Sequence, residues 1–132
     1  MTCKIINLPK ITDPRGNLTF IQFSQQIPFK IERIFWTYDV PGGETRGGHA
    51  YKTQEEFIIA LSGSFDVHTM DKEGKSQKYS LNRSYYGLYI PAGIWRHIDN
   101  YSTNALALHL SSTKFSEGDY IRKFEEFNKI SK

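Results

Sequence analysis

The most informative segment of the chain reads Arg46-Gly47-Gly48-His49-Ala50-Tyr51-Lys52-Thr53-Gln54-Glu55-Glu56-Phe57 and leads, through an apolar strand, to the turn Ser62-Gly63. Because side chains alternate along a strand, His49 and Tyr51 point to the same face. If the apolar residues around them line a barrel, that face is the interior. The segment therefore predicts a pocket that an imidazole and a phenol share.

Short runs rich in Ile, Phe, Tyr, Val and Thr, separated by turn residues, predict further β-strands on both sides of this segment. The predicted strands are residues 17–23, 31–38, 56–61, 64–69, 86–90 and 105–111. Turn segments such as Pro41-Gly42-Gly43 and Pro91-Ala92-Gly93 supply fixed or positive φ angles between them. Many short strands with regular turns indicate an all-β sandwich or barrel.

The C-terminal tail has a different pattern. Ile121, Phe124, Phe127 and Ile130 recur every three residues among charged side chains, which predicts an amphipathic helix that caps the β core or a partner subunit. With 132 residues and no linker-like segment, we expect residues 1–132 to form one domain.

Composition and charge exclude several classes of protein. Seventeen Lys and Arg against fourteen Asp and Glu give a net charge of +3, which falls short of a nucleic-acid-binding footprint and suits a small anionic ligand better. Cys3 is the only cysteine, so one chain can form neither a disulfide nor a thiolate zinc site. The sequence has no apolar run of membrane-spanning length and no signal-type block at its start. We therefore expect a cytoplasmic protein that binds neither nucleic acid nor membranes.

A second segment, from Tyr89 to Asn100, is a turn followed by a strand in which Trp95 and His97 share one face and Arg96 takes the other. Together the two segments resemble the two motifs of the cupin superfamily. The matching positions are His49, Tyr51, Glu56 and Gly63 in the first motif and Pro91, Gly93, Arg96 and Asn100 in the second. The cupin metal would need His at the positions of Tyr51 and Arg96. Because arginine stays protonated and offers no lone pair, we expect no metal here.

The chain resembles one cupin family more closely, over nearly its whole length. The matching stretches are Asp13-x-Arg15-Gly16-x-Leu18, Ile27-Pro28-Phe29-x-Ile31-x-Arg33-Ile34, Arg46-Gly47-x-His49-Ala50, Leu61-x-Gly63-Ser64, Gly87-Leu88-Tyr89-Ile90 and Asp119-Tyr120-Ile121-Arg122. They are similar to the sugar-nucleotide 3,4-ketoisomerases, which are metal-free cupins of the double-stranded β-helix, or jelly-roll, type. The resemblance implies conversion of a thymidine-diphosphate-linked (dTDP) 4-keto-6-deoxyhexose to the 3-keto sugar, without a cofactor, in deoxyamino-sugar synthesis for surface glycans.

Within this resemblance, His49 is the predicted catalytic base, because histidine titrates close to operating pH and here has polar neighbours. Tyr51 either relays protons and stabilises the enediolate or is a packed aromatic of the barrel. Family members often have His at the position of Tyr51 and Tyr at the position of Phe35. If a second proton relay exists, Tyr51 must supply it.

The predicted substrate-binding residues are mostly basic. Arginine suits a diphosphate because its planar fork forms two parallel charge-assisted hydrogen bonds. The candidates are Arg15, Arg33, Arg46, Lys52 and Arg96, of which we expect at least two to be solvated surface charges. Trp95, Tyr89 and Tyr38 are candidates to stack on the nucleotide base. His68 and His109 alternate with apolar neighbours and are interpreted as structural.

Other functions share this sequence pattern. A dTDP-deoxyhexose 3,5-epimerase would use similar proton-abstraction chemistry, and a non-catalytic sugar-nucleotide-binding cupin would lack the proton relay. A metal-dependent cupin oxygenase fits least well. Because a barrel of this size exposes sheet edges, the aromatic segment 5–23 predicts a homodimer with exchanged N-terminal strands.

Overall fold

The computed structural model of the protein describes residues 2–22 and 25–130, which are mostly β-strand. The strands are β1 (Lys4–Asn7), β2 (Lys10–Asp13), β3 (Gly16–Thr19), β4 (Arg33–Tyr38), β5 (Arg46–Tyr51), β6 (Glu56–Ser62), β7 (Phe65–Met70), β8 (Ser76–Leu81), β9 (Tyr86–Ile90), β10 (Trp95–Asp99), β11 (Leu106–Ser111) and β12 (Tyr120–Ile121). A short 3₁₀ turn (Glu117–Asp119) precedes β12, and the helix α1 (Phe124–Ile130) follows it.

Two five-stranded sheets form the body of the fold. The first has the order β1-β9-β6-β11-β4 and the second the order β12-β5-β10-β7-β8, while β2 and β3 form a separate two-stranded hairpin. Apolar side chains from both sheets meet in one buried cluster, for example Ile58 and Leu88 from the first sheet and Val67 and Ile98 from the second. The predicted all-β jelly roll is confirmed.

The first sheet is buried on both faces at its centre. All of residues 56–60 in β6 are buried, as expected for a strand whose sequence is continuously apolar after its first residue. Leu8, Ile27 and Phe29 pack over its outer face against Phe57 and Tyr89 and form a second apolar cluster. The N-terminal segment therefore belongs to the packing of this sheet.

Several predicted strand boundaries differ from the observed ones. The strand predicted at residues 17–23 ends at Thr19, and Phe23 lies outside the described residues. β1, β2 and β8 were not predicted because polar and charged residues occupy half or more of β2 and β8, and β1 is only four residues long. These strands lie at sheet edges or in the hairpin, where one side of the strand faces solvent.

The predicted C-terminal helix is present but starts later than the apolar spacing indicated. Ile121 belongs to β12, where it pairs with Ala50, and α1 begins at Phe124. Phe127 is buried against Ala50, Ile121 and the partly buried Trp95. The helix therefore covers the outer face of the second sheet. Within the described part of the chain, no helix has the length and apolar character needed to cross a membrane.

Candidate active site

A pocket of about 260 Å³ lies between the two sheets. The first sheet contributes Phe35 and His109, and the second contributes His49, Tyr51 and Arg96. The lining also includes Arg46, Tyr120 and Arg122. The face that His49 and Tyr51 share is the interior of the fold, so the prediction from strand alternation is confirmed.

A β-bulge in β5 brings Arg46 to the pocket. β5 pairs with β10 at His49–Arg96 and again at Arg46–Ile98, so β5 has one residue more than its partner over this stretch. Gly47 lies inside the bulge with φ 73°, a conformation that glycine adopts without a steric penalty. In a regular strand Arg46 would point away from the face of His49. The bulge reverses this orientation, so Arg46 lines the pocket.

The side chain of Arg96 holds the ring of His49. Arg96 donates from Nε and Nη2 to Nε2 of His49, at 3.1 Å and 2.8 Å. Because a guanidinium only donates, Nε2 must be unprotonated and the neutral ring carries its proton on Nδ1. Burial and the adjacent positive charge of Arg96 lower the pKa of His49 to about 3. His49 is therefore a neutral imidazole at neutral pH.

Beneath His49, Arg96 forms a buried ion pair with Glu56. Nη1 of Arg96 contacts Oε1 of Glu56, Nη2 lies 3.3 Å from Oε2, and both side chains are fully buried. Burial alone would raise the pKa of Glu56, but the guanidinium outweighs it and holds the pKa well below the usual range. The two atoms that a cupin metal would use, on His49 and Glu56, are both bound by Arg96.

Two tyrosines pack around His49 in a cluster of three rings. The ring centroids of His49, Tyr51 and Tyr120 lie 4.7 to 4.9 Å apart, and the hydroxyl of Tyr51 donates to that of Tyr120 at 3.3 Å. Burial and the nearby charge of Glu56 raise the pKa of Tyr51. Tyr51 is therefore a protonated phenol that can donate a hydrogen bond to an oxygen of a bound ligand.

The opposite wall has fewer polar partners. The rings of Phe35 and His109 stack at 4.4 Å with an interplanar angle of 7°. Nδ1 of His109 lies 3.4 Å from Oε2 of Glu56, but the direction is poor for a hydrogen bond. Among the described residues, neither ring nitrogen of His109 has a hydrogen-bond partner. His109 is buried but also lines the pocket, and the structural role predicted for it stays a prediction.

Two cations lie at the mouth of the pocket. Arg46 is exposed at the start of β5, and Arg122 is exposed after β12. Arg122 stacks its guanidinium over the Tyr120 ring at 4.1 Å and pairs with Glu117 at 2.7 Å. An anionic ligand at this mouth would meet positive charge from both side chains.

Four predicted binding residues lie outside the lining of this pocket. Trp95 packs against Phe124 of α1 at 5.4 Å, on the outer face of the second sheet. Arg15 is exposed in the β2–β3 turn and pairs with Asp13, and Lys52 is exposed after β5. The remaining one, Arg33, donates to Gln54 at 3.1 Å and lies over the Phe35 ring without reaching the pocket itself.

Arg96 lines the pocket, and Glu56 and His49 already bind its nitrogens, so its predicted role in binding diphosphate stays a prediction that this geometry does not favour. The two other candidates to stack on the nucleotide base, Tyr89 and Tyr38, also lie outside the lining of the pocket. Tyr89 is buried and donates to Glu55, and Tyr38 is exposed on the outward-facing side of β4. The aromatic rings near a ligand are instead Phe35, Tyr51 and Tyr120.

Sequence reasoning missed Tyr120 and Arg122 as site residues. Both belong to a stretch that carried the family resemblance, Asp119-Tyr120-Ile121-Arg122, and they alternate with the buried Ile121. That alternation places them on one face, but only the pairing of Tyr120 with Tyr51 brings that face to the pocket.

Comparison with known proteins identifies close relatives along the full chain. The family described as "FdtA: WxcM-like, C-terminal" matches residues 1–132. The TDP-4-oxo-6-deoxy-alpha-D-glucose-3,4-oxoisomerase of Aneurinibacillus thermoaerophilus is 36% identical over 129 residues, covering 98% of this chain and 92% of that protein.

Two solved structures are similarly close. The WlaRB TDP-quinovose 3,4-ketoisomerase of Campylobacter jejuni superposes with a TM-score of 0.91 at 38% identity, covering 96% of this chain and 97% of that one. A mutant of the 3,4-ketoisomerase QdtA of Thermoanaerobacterium thermosaccharolyticum, in complex with TDP-4-keto-6-deoxyglucose, has a TM-score of 0.95 at 28% identity. It covers 98% of this chain and 94% of that one.

Proposed function

The chain belongs to the FdtA, WxcM-like family, and from that premise we propose that it is a TDP-sugar 3,4-ketoisomerase. Its substrate is a TDP-linked 4-keto-6-deoxyhexose, and its product is the corresponding 3-keto sugar for deoxysugar biosynthesis. The observation that carries the proposal is the pocket in which a neutral His49 and the protonated Tyr51 lie below two exposed arginines, in a chain that matches 3,4-ketoisomerases from end to end.

The reaction needs a base that can take the proton from C3. The electron pair of the broken C3–H bond then forms the C3–C4 double bond of an enediol. A proton is then added at C4, and a proton passes from O3 to O4. We assign proton removal to His49, because its neutral imidazole has an unprotonated nitrogen, Nε2, and Arg96 fixes the ring. Nε2 accepts two hydrogen bonds from Arg96, so proton transfer to this atom requires both of them to break.

In the free protein His49 is a weak base, because burial and Arg96 disfavour its protonated form. A bound diphosphate changes this balance. Its negative charges, held by Arg46 and Arg122 at the mouth of the pocket, oppose the positive field of Arg96 and raise the basicity of His49. Substrate binding thus prepares the base for the reaction.

Tyr51 and Tyr120 are suited to the oxygens of the sugar. The Tyr51 hydroxyl donates to Tyr120 in the free protein, and the pair can redirect these hydrogen bonds to O3 and O4 as charge develops on the enediolate. Phe35 has no hydroxyl, so we assign the proton transfer between the two oxygens to the tyrosine pair.

Nuclear magnetic resonance in D₂O tests the activity directly. Incubation with TDP-4-keto-6-deoxyglucose is expected to give a 3-keto product with deuterium at C4, while His49→Asn forms no product and still binds TDP. Inversion with deuterium at C3 and C5 would identify a 3,5-epimerase instead. Tight binding of TDP without any exchange would identify a non-catalytic binding protein.

We also propose a homodimer in which the β2–β3 hairpin packs on a second copy of the chain. Within the described residues the hairpin strands pair only with each other, and Ile11 and Leu18 on them are more than half exposed. Trp36 on β4 is equally exposed, and a groove of about 700 Å³ beside the first sheet is lined by apolar residues such as Leu61 and Leu108. Exposed apolar side chains grouped in this way are typical of surfaces that contact another protein chain.

In such a dimer Arg15, which does not line the pocket of its own chain, is free to approach the pocket of the partner. Multi-angle light scattering at micromolar concentration is expected to give twice the mass of one chain. Ile11→Asp is expected to shift the mass toward the monomer, whereas Lys10→Asp, on the adjacent position of the same strand, has a smaller effect. A monomeric wild type would contradict this assignment.

A further inference from the structure

Three side chains of metal-ligand type converge on the outer face of the second sheet. His97 on β10 lies opposite His68 on β7 in antiparallel register, and Asp99 follows two residues later on the same face. Arg96 and Ile98, which alternate with them, are buried in the interior. The cluster and the pocket described above are therefore on opposite sides of the same sheet.

The possible ligand atoms of this cluster lie close together. The two imidazole rings stack at 4.5 Å with an interplanar angle of 10°, and Nε2 of His68 lies 2.7 Å from Oδ1 of Asp99. One possible ligand atom from each residue lies within 4.8 Å of the other two. Two ligand atoms at usual Zn–N lengths of about 2.0–2.1 Å from one tetrahedral ion lie about 3.3–3.4 Å apart. Binding an ion therefore requires His68 and Asp99 to give up their hydrogen bond and the side chains to reorient around the ion.

We propose that His68, His97 and Asp99 bind a divalent transition-metal ion, with Zn²⁺ as the natural occupant. Two imidazoles and one carboxylate are ligands that suit Zn²⁺, Ni²⁺ and Cu²⁺, whereas Mg²⁺ and Ca²⁺ favour sites made of oxygen alone. All three residues are only partly buried, so an ion has a path from solvent. A groove of about 480 Å³ adjoins both histidines and leaves room for a water in the fourth position.

The proposed site is separate from the pocket assigned to isomerisation. The three residues come from neighbouring strands β7 and β10, so an ion bound to them joins these strands on the face opposite His49. Lys78 on β8 pairs with His68 on β7 and is the nearest cation by register. Its charge opposes metal binding, which makes it a useful control position.

Isothermal titration with ZnCl₂ and with NiCl₂, on protein without a polyhistidine tag, tests the proposal. One ion per chain is expected. His97→Gln and Asp99→Asn should each weaken binding by at least tenfold, since even outer partners of metal ligands contribute about that much. Lys78→Gln is expected to bind at least as tightly as wild type. Isomerase turnover of His97→Gln, followed in the same preparation, shows that the variant is folded.

Two further measurements locate the ion. Cobalt added to the wild type should produce the visible absorption bands of a tetrahedral site, and these bands should be missing from the double variant His68→Gln/His97→Gln. His49→Asn should bind Zn²⁺ as the wild type does. Equal affinity in the wild type and the double variant, absence of binding at micromolar metal, or loss of binding in His49→Asn would each overturn the proposal.

Discussion

The buried histidine of the pocket should make the stability of the protein depend on pH. The pKa of His49 is about 3 in the folded protein, compared with 6.5 for an unperturbed histidine. Between these values the unfolded chain binds a proton at His49 and the folded chain does not. The free energy of unfolding therefore decreases as the pH falls below 6.5, by up to about 1.4 kcal/mol per pH unit. At pH 5.0 this contribution is about 2 kcal/mol lower than at pH 7.5.

Urea unfolding of the wild type and of His49→Asn, at pH 7.5 and at pH 5.0, measures this term. Asparagine does not titrate but keeps an oxygen that can accept from Arg96. The contributions of other titrating groups largely cancel in the comparison, so the wild type should lose about 2 kcal/mol more than the variant between the two pH values. Protein concentration must be constant because a dimer is expected. An equal loss in both proteins would refute the depressed pKa of His49.

Three other predictions concern the pocket and its supports. Tyr51→Phe removes the hydroxyl at 3.3 Å from Tyr120 and should lower kcat by about 10²-fold with little change in the affinity for TDP, and an unchanged kcat would exclude Tyr51 from the reaction. Glu56→Gln leaves the buried guanidinium of Arg96 without its counter-ion and should cost about 3–5 kcal/mol in urea unfolding; a loss below 1 kcal/mol would contradict the ion pair. Phe127→Ala, at a side chain 2% exposed, should cost about 3–5 kcal/mol by thermal unfolding, clearly more than the same change at the 37% exposed Phe124.

The strands rich in apolar residues were predictable because burial on one face or on both selects their residues directly. β4, β6, β7, β9 and β11 are all present close to the predicted positions. The strands that were not predicted separately lie at edges or in the hairpin, where solvent exposure removes the apolar pattern. The helix start was wrong for a related reason, since Ile121 is buried by pairing with β5 and not by a helical contact.

Alternation along single strands was sufficient to place His49 with Tyr51 on one inner face and to separate Arg96 from His97. The resemblance to the cupin motifs, in which Arg96 occupies a position that a metal-binding histidine would need, is the basis for expecting no cupin metal. These conclusions depend on the order of residues within single segments, which can be read directly from the sequence.

The partners of those side chains depended on the order of strands in the sheets. Arg96 meets Glu56 forty positions away because the two sheets face each other, and Tyr120 meets Tyr51 across sixty-nine positions because β12 pairs with β5. A one-residue bulge turned Arg46 inward, while α1 covered Trp95. Contacts between distant strands arise only when the chain has folded, so the ion pair, the tyrosine pair and the cationic mouth of the pocket became visible only in three dimensions.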